Sequence, residues 1–208
     1  MTNFKSSELE SIYNEYKAEA DRRFVYEGVP NCYVWGFGDP DSPVVMIGEA
    51  PGKDEVALGR PFVGKAGKML DDFLAGAGLE RSQLFITNTV KYRLARPGKR
   101  QGTFANRPAK TAEIAFSAPY IKRELETLAP LAVVTLGNVP LKCVCMAFDI
   151  PAPGIGEAHG KTMALTDEII LYPMYHPASV IYNNSLETVY KKDLKNFSNI
   201  FSEISKKS

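Results

Sequence analysis

A glycine-rich segment, Gly48-Glu49-Ala50-Pro51-Gly52, directly follows the apolar run of residues 44–47. Glycine lets a ligand come close to the backbone, and a loop of this kind after a strand is commonly a phosphate site. Two observations argue against phosphate here. The Walker pattern and the G-x-G-x-x-G pattern are both absent, and Glu49 would repel an anion. The segment is therefore predicted to be an active-site loop that binds neither a nucleoside triphosphate nor a dinucleotide.

His176 is one of two histidines, and it opens the segment His176-Pro177-Ala178-Ser179 after the apolar run of residues 169–174. An isolated histidine is commonly structural, but the position between a strand and Pro177 favours a function. A neutral imidazole at a strand end can donate a hydrogen bond to negative charge that develops on a substrate. His176 is therefore a candidate catalytic residue opposite the glycine-rich loop.

Two further side chains could recognise a planar base. Asn88 follows the apolar run of residues 84–87, where it could simply cap a turn. Its amide could instead read a neighbouring N–H and C=O on one ring, such as N3 and O4 of uracil. Phe62 lies in Gly59-Arg60-Pro61-Phe62-Val63-Gly64, where its ring could pack in the core or stack on a base.

The elements that must position these residues are short apolar runs alternating with helices. Four runs are predicted as strands, at residues 44–47, 84–87, 131–136 and 169–174. Helices are predicted over about residues 4–24, 65–77, 111–128, 139–148 and 186–204. This alternation indicates an α/β fold, a three-layer α/β/α sandwich with a central four-stranded parallel sheet. Because the carboxyl ends of parallel strands share one edge, the candidate residues are expected to meet there.

The composition is that of one globular domain. The chain has 208 residues, 45% of them hydrophobic, and a formal net charge of +1. We expect a single domain over residues 1–208 with the first helix as an appendage, and a short strand around residues 32–35. No apolar run could span a bilayer and the first residues are polar, so a cytoplasmic protein without a signal peptide is expected. The three cysteines are expected to be inert thiols rather than a disulfide framework.

Residues 91–110 form a locally basic stretch. They contain seven Lys or Arg and no acid: Lys91, Arg93, Arg96, Lys99, Arg100, Arg107 and Lys110. A solvated loop and a loop that follows a phosphate backbone are both compatible with this composition.

Four segments together resemble the uracil-DNA glycosylase superfamily, and most closely its family 4. They are residues 48–52, residues 59–64, Thr87-Asn88-Thr89-Val90-Lys91 and His176-Pro177-Ala178-Ser179, and they keep the family's order and spacing. The likeness runs from about residue 36 to residue 197. It implies a four-stranded parallel sheet flanked by helices. It also implies an enzyme that flips uracil out of DNA into a pocket and hydrolyses its N-glycosidic bond.

The resemblance also implies a role for each site residue. Phe62 would stack on the uracil, Asn88 would read its edge, and His176 would stabilise negative charge at uracil O2. Gly48 and Ala50 would line the base pocket. Glu49 would position or polarise the attacking water beside a sugar that becomes oxocarbenium-like.

Family 4 usually carries an iron–sulfur cluster held by four cysteines, and this sequence departs from that pattern. Tyr92 and Ser117 stand where two of the ligands are expected. The other two positions fall within residues 20–24, which contain no cysteine, and Cys32 is not at a ligand position. The cluster is therefore predicted to be absent, and neither a metal nor another cofactor is expected.

The segment after the fourth strand is predicted to contact DNA through Pro177, Ser179, Ile181 and Tyr182. Ile181 could be an apolar wedge that fills the space left by the flipped base. Tyr182 stands where the family often has an arginine and offers a stacking face instead of a phosphate contact. The predicted partner is uracil-containing DNA, single- or double-stranded, bound by a monomer and without a membrane.

Other functions stay open at this point. The chain could be a non-catalytic or covalent binder of uracil-containing or abasic DNA, or a glycosylase for another deaminated or damaged base. It could also be a nucleotide-binding module on the same fold class. Superfamily members that crosslink to DNA carry an added basic loop before the fourth-strand motif, whereas residues 153–161 here are not conspicuously basic.

Overall fold

The computed structural model describes residues 2–24, 31–100, 102–204 and 206, which form eight strands and eight α-helices. The strands are β1 (Phe37–Gly38), β2 (Val44–Gly48), β3 (Phe85–Asn88), β4 (Ala95–Pro97), β5 (Phe104–Asn106), β6 (Ala132–Leu136), β7 (Met163–Ala164) and β8 (Ile170–Met174). The helices are α1 (Thr2–Arg23), α2 (Lys53–Leu58), α3 (Lys65–Gly76), α4 (Thr111–Leu128), α5 (Asn138–Ala147), α6 (Ile155–Ala158), α7 (Pro177–Tyr182) and α8 (Leu186–Ile204).

A six-stranded sheet in the order β1-β3-β2-β6-β8-β7 lies at the centre. Strands β3, β2, β6 and β8 are mutually parallel and correspond to the four predicted strands, so the parallel core is confirmed. The whole sheet is wider than the predicted four parallel strands, because β1 and β7 add an antiparallel strand at each edge. Each edge strand has only two residues, which is too short for a hydrophobic period to show in the sequence.

Helices cover both faces of this sheet, as a three-layer sandwich requires. Along β2, Val45 and Ile47 belong to a core cluster shared with α1, α4 and α5. Val44 and Met46 belong to a second cluster, shared with α3 and α8. Because all four side chains are fully buried, the strand appears in the sequence as a continuous apolar run instead of an alternation.

Helix α1 contributes to the core and is more than an appendage. Its Tyr13 is buried, and the hydroxyl donates to Glu124 Oε1 on α4 at 2.5 Å. Lys91 Nζ donates to Glu124 Oε2 at 2.5 Å and to Thr87 Oγ1 at 2.6 Å. This buried network joins α1 and α4 to the end of β3, which carries Asn88.

The five predicted helices appear as α1, α3, α4, α5 and α8. The short helices α2, α6 and α7 and the β4–β5 hairpin are not predicted, because each of these elements has six residues or fewer. The strand predicted around residues 32–35 is reduced to an isolated bridge between Tyr33 and Tyr92. Within the described parts of the chain, no helix is both long enough and apolar enough to cross a bilayer.

Candidate active site

A cleft of about 420 Å³ opens at the carboxyl edge of the parallel strands. Four of the predicted site residues line it: Ala50 after β2, Phe62 from the loop between α2 and α3, Asn88 at the end of β3, and His176 after β8. These residues are distant in the sequence, and the parallel topology brings them together. The predicted meeting point is therefore present in the structure.

Gly48 lies directly against two of these side chains. A Cβ at this position would stand 2.5 Å from Asn88 Oδ1 and 2.5 Å from the Phe62 ring. Any side chain here would displace both groups, so the close approach requires glycine. The Gly48 carbonyl accepts a hydrogen bond from Thr89 N–H at 2.8 Å, which fixes the loop to the end of β3.

Asn88 is only 3% exposed and contributes to the wall of the cleft. Its side-chain amide has no hydrogen-bond partner within the described part of the protein. Its amide atoms are not among the fully enclosed polar atoms that lack a partner in the described residues, so they are reached from the cleft. A turn-capping role is not supported, because no backbone N–H donates to this side chain. The amide oxygen and nitrogen are thus left for a ligand in the cleft.

Phe62 is held in an unusual backbone conformation, with φ at +53°. A bulky residue with positive φ is strained, and such strain is commonly found at functional sites. Arg81 holds the segment, since its Nη1 donates to Phe62 O at 2.8 Å and its Nη2 to Pro61 O. Gly67 packs so closely that a Cβ there would lie 1.8 Å from Phe62 O. These contacts fix the buried Phe62 ring as one wall of the cleft.

The His176 ring faces the Phe62 ring, with centroids 5.9 Å apart and planes tilted by 31°. Its Nδ1 accepts a hydrogen bond from Ala178 N–H at 3.1 Å, so the neutral ring carries its proton on Nε2. Burial lowers the pKa of His176, an effect that the charge of Glu55 opposes. The ring is therefore a neutral hydrogen-bond donor near pH 7.

Glu49 differs from the other predicted residues because it is not among those that line the cleft. Its Oε1 accepts a hydrogen bond from Ala109 N–H at 3.0 Å, and its backbone carbonyl accepts one from Val90 N–H at 2.9 Å. One carboxylate oxygen thus ties the glycine-rich loop to the segment before α4. Glu49 is half-buried, and its neighbours in the sequence are Gly48 and Ala50, of which Ala50 lines the cleft.

Glu55 on α2 is a site residue that the sequence analysis missed. Its carboxylate accepts hydrogen bonds from Gly52 N–H at 3.0 Å, Val63 N–H at 3.1 Å and Gly64 N–H at 2.8 Å. It therefore joins the glycine-rich loop to the loop that carries Phe62. A partial signal was present in the sequence, since Glu55 stands three residues after the N-cap Gly52, where a glutamate accepts from the N-cap N–H; glycine has no side chain to complete a capping box.

Asn106 on β5 also lines the cleft and was missed because its hairpin is not predicted. Arg93 Nε donates to Asn106 Oδ1 at 3.2 Å. The Nδ2 atom of Asn106 lies 3.9 Å from the position that a Cβ of Gly52 would take. The hairpin therefore begins at the rim of the cleft, against the glycine-rich loop.

The segment after β8 forms the short helix α7 beside the cleft. Pro177 is buried at the start of this helix, and its contact with DNA stays a prediction. Ser179 is half-buried. Ile181 and Tyr182 are 46% and 89% exposed, so the apolar and aromatic surface expected of them is present.

Other groups occupy the positions that would hold an iron–sulfur cluster. Tyr92 is buried and donates to Glu113 Oε1 at 2.8 Å. The Ser117 Oγ lies 3.1 Å from the Tyr16 hydroxyl, within hydrogen-bond distance. The other two positions are expected within residues 20–24, where Ala20 and Phe24 pack in the same cluster as Tyr92, with the Phe24 ring 6.3 Å from the Tyr92 ring.

Aromatic packing fills the space around these positions. Phe116 has ring centroids 5.1 Å from both Tyr16 and Phe24, and Tyr33 lies 5.8 Å from Tyr92. In the described ranges, no group of three or more His, Cys, Asp or Glu side chains could hold a metal ion. The residues at this place do not fit a cluster, because hydroxyl and aromatic groups do not replace thiolate ligands.

Comparison with known proteins identifies what the chain resembles. The family model described as the uracil DNA glycosylase superfamily matches residues 35–204. The chain is 36% identical over 176 residues to the type-4 uracil-DNA glycosylase of Sulfurisphaera tokodaii, an alignment covering 79% of this chain and 76% of that protein. It is 35% identical over 166 residues to the type-4 uracil-DNA glycosylase of Archaeoglobus fulgidus, covering 78% and 79%. The matched region contains every residue that lines the cleft.

Proposed function

This chain belongs to the uracil DNA glycosylase superfamily, and we propose on that premise that it removes uracil from DNA. The reaction is hydrolysis of the bond between uracil N1 and the C1′ atom of deoxyribose. The water oxygen bonds to C1′, the electron pair of the broken bond leaves with uracil, and the proton released by the water ends on the base. The products are free uracil and an abasic site.

The unpaired amide of Asn88 is the observation that carries this proposal. It is almost fully buried and lines the cleft without a protein partner in the described chain. In uracil, N3–H can donate to the amide oxygen and O4 can accept from the amide nitrogen. Cytosine presents the reverse pattern and would leave both groups unpaired, which is a strong basis for discrimination.

His176 and Phe62 supply the remaining contacts to the base. Phe62 offers a fixed ring face on which a flipped base stacks. The neutral His176 donates through Nε2 to uracil O2, where negative charge develops as the bond to C1′ breaks. A donor already in place is worth more than solvent, because no reorganisation is needed during the reaction.

Glu49 is proposed to act on the water. Its Oε1 is engaged by Ala109 N–H, so the second oxygen is the one available to orient or polarise a water next to C1′. The carboxylate also stabilises the positive charge that grows on the sugar. Gly48 and Ala50 leave room for the nucleotide beside it.

Helix α7 is proposed to contact the DNA from which the base has been removed. Ile181 would enter the vacated stack and Tyr182 would lie against a neighbouring base or sugar, since both are exposed next to the cleft. Action as a monomer is part of this proposal, since the protein must approach DNA along one face.

We further propose that this enzyme works without an iron–sulfur cluster. The support is the set of hydroxyl and aromatic groups at the expected ligand positions, with Tyr92 and Ser117 engaged in hydrogen bonds of their own. Protein purified without oxygen should contain iron well below one atom per chain, and its activity should survive chelation after oxidation. About four iron atoms and four sulfides per chain would overturn this part of the proposal.

The glycosylase activity is tested with an oligonucleotide that carries one uracil. Purified protein should convert it to an alkali-labile product and release free uracil, in single-stranded or in duplex DNA. DNA that stays intact over a wide enzyme excess would overturn the proposal. A protein–DNA adduct that resists denaturation would replace it with the covalent binder, and release of a different base from a panel of modified oligonucleotides would replace the substrate.

A further inference from the structure

Five of the seven basic side chains in residues 91–110 fall into two groups in the structure. Lys91 is buried and paired with Glu124, and Arg107 is paired with Glu113. These two charges are internal. Arg96, Lys99 and Arg100 are exposed, and none of the three has an ion-pair partner among the described residues. They lie on or beside the β4–β5 hairpin, described over residues 95–100 and 102–106, which we call the basic hairpin.

The basic hairpin is anchored firmly at its base. Glu113 is completely buried and receives Arg107 Nη2 on Oε1 at 2.6 Å and Arg107 Nη1 on Oε2 at 2.7 Å. Burial alone would raise the pKa of Glu113, but hydrogen bonds from Arg107, Lys110 N–H and Tyr92 outweigh it and hold the pKa below its usual range. The anchor is therefore ionised at neutral pH and keeps Arg107 in place.

Further hydrogen bonds order the hairpin itself. Gly98 N–H donates to Thr103 O at 2.7 Å across the two strands. Arg93 donates from Nη2 to Phe104 O at 3.3 Å and from Nε to Asn106 at 3.2 Å. A charged arm held this way loses less conformational freedom on binding than a free loop would.

The place of the hairpin relative to the cleft is informative. Asn106 belongs both to β5 and to the wall of the cleft, so the hairpin extends outward from the point where a nucleotide would enter. A strand whose base sits in the cleft can leave it past this rim, within reach of the hairpin charges. Beside the exposed charges, Phe104 is 38% exposed, which is unusual for a phenylalanine and gives the hairpin an aromatic face.

We propose that the basic hairpin binds the single-stranded DNA that flanks the base held in the cleft. Arg96, Lys99 and Arg100 contact successive phosphates, and Phe104 stacks on an unpaired base. Positive charge combined with an accessible aromatic ring is the combination that binds single strands without reading sequence. The inference rests on the proposed function only in that DNA enters the cleft, and it adds a preference for single-stranded over duplex DNA.

Removing the three charges together tests the phosphate contacts. The variant R96A/K99A/R100A and the wild type are titrated onto a fluorescent oligothymidine without uracil, over a series of salt concentrations. The slope of log K against log salt should decrease in magnitude by about 2, because each phosphate contact on a single strand contributes about 0.7.

The control K191A/K192A/K195A removes the same charge from the exposed face of α8. Lys191 and Lys195 lie beside Asp72 and Gly76 of α3, whereas the residues of α3 that line the cleft are at its other end. This control should leave the slope unchanged.

Phe104→Ala tests the stacking contact. Affinity for the single strand should fall by about 5- to 100-fold, while affinity for a duplex of the same length changes by about twofold or less. An equal effect on both forms of DNA would overturn the proposal. So would a salt slope of the triple variant that equals that of the wild type or of the α8 control.

These binding measurements do not depend on base removal. If the protein releases uracil but the hairpin variants bind as the wild type does, the hairpin inference fails and the proposed function stands. If no uracil is released but binding depends on the hairpin, the proposed function fails and the hairpin inference stands.

Discussion

The Glu49 carboxylate accepts a hydrogen bond from the backbone N–H of Ala109, with 3.0 Å between Oε1 and the nitrogen. This contact joins the glycine-rich loop after β2 to the segment that enters α4. Glu49 therefore has a structural task, which uses one oxygen, and a proposed electrostatic task, which needs its charge. Because the two tasks depend on different properties of the side chain, substitution can separate them.

Glu49→Gln keeps an oxygen for Ala109 N–H and removes the negative charge. We expect the single-turnover rate of uracil release to fall by about 10²-fold, since a positioned carboxylate contributes on that order, with an unchanged melting temperature. Glu49→Ala removes the hydrogen bond as well, and should also lower the melting temperature. A Glu49→Gln enzyme with the full rate would mean that Glu49 only orders the loop.

The acid limb of the pH profile should report His176. Burial places the pKa of His176 below its ordinary value of 6.5. In the neutral ring, Nδ1 accepts a hydrogen bond from Ala178 N–H. Protonation of Nδ1 would place its new N–H against that of Ala178 and would disturb the position of the ring. The rate should therefore stay flat as the pH falls to 6.5 and decline only below it. The stabilisation from keeping this ring neutral is likewise present above pH 6.5 and lost as the pH falls through the lowered pKa.

Two variants make this assignment specific, because the chain has two histidines. His176→Gln should lose the inflection and slow release by about 10²–10³-fold, the usual effect of removing a donor to a developing anion. His159→Asn should keep the inflection, since His159 is paired with Asp193 outside the cleft. An inflection at or above pH 6.5 in the wild type would contradict the assignment.

Much of the cleft was predictable because it depends on chain order and strand direction. Four apolar runs between helices specify parallel strands; Asn88 is the last residue of β3, and one residue separates His176 from the end of β8. The left-handed backbone of Phe62 was not predictable, because it is held by Arg81, which lies 19 residues further along the chain, and by the close packing of Gly67. Contacts of this kind cannot be predicted from the spacing of residues in the sequence.

The same limit explains the misreading of Lys91. In the sequence it counts as one of several basic residues in a solvated or DNA-contacting stretch. In the structure it is 1% exposed, because Glu124 on the distant helix α4 and Thr87 on β3 both accept hydrogen bonds from its ammonium group. A count of basic residues along the chain therefore overstates the positive charge at the surface. The exposed charges of the basic hairpin are identified only after the buried, paired residues are left out of that count.

Breaking the Lys91–Glu124 pair should be costly. Burial lowers the pKa of Lys91, although Glu124 opposes this, so the pair exists at the expense of desolvation. Glu124→Gln leaves a buried ammonium without its counter-charge, and should reduce the free energy of unfolding by about 3–5 kcal/mol. Urea unfolding followed by circular dichroism measures the change.

A surface pair provides the matched control for that experiment. Lys191 and Glu187 form an ion pair on α8, with side chains 60% and 47% exposed. Glu187→Gln should change the free energy of unfolding by less than about 1 kcal/mol, as exposed pairs do. Equal effects of Glu124→Gln and Glu187→Gln would show that the buried network does not support the end of β3.

The identity of the base released by wild type and by Asn88→Asp is the most direct test of the account. Both proteins are incubated with oligonucleotides carrying uracil or cytosine, and the free bases are separated and quantified. The wild type should release uracil alone. In the Asn88→Asp variant, burial favours the neutral form of the new carboxyl group. This group can donate a hydrogen bond to cytosine N3 and accept one from the cytosine amino group. The variant should therefore gain cytosine release, and its uracil release should fall by roughly 10–100-fold. Unchanged selectivity in the variant would contradict the central claim that Asn88 reads the edge of uracil, as would a wild type that releases no uracil.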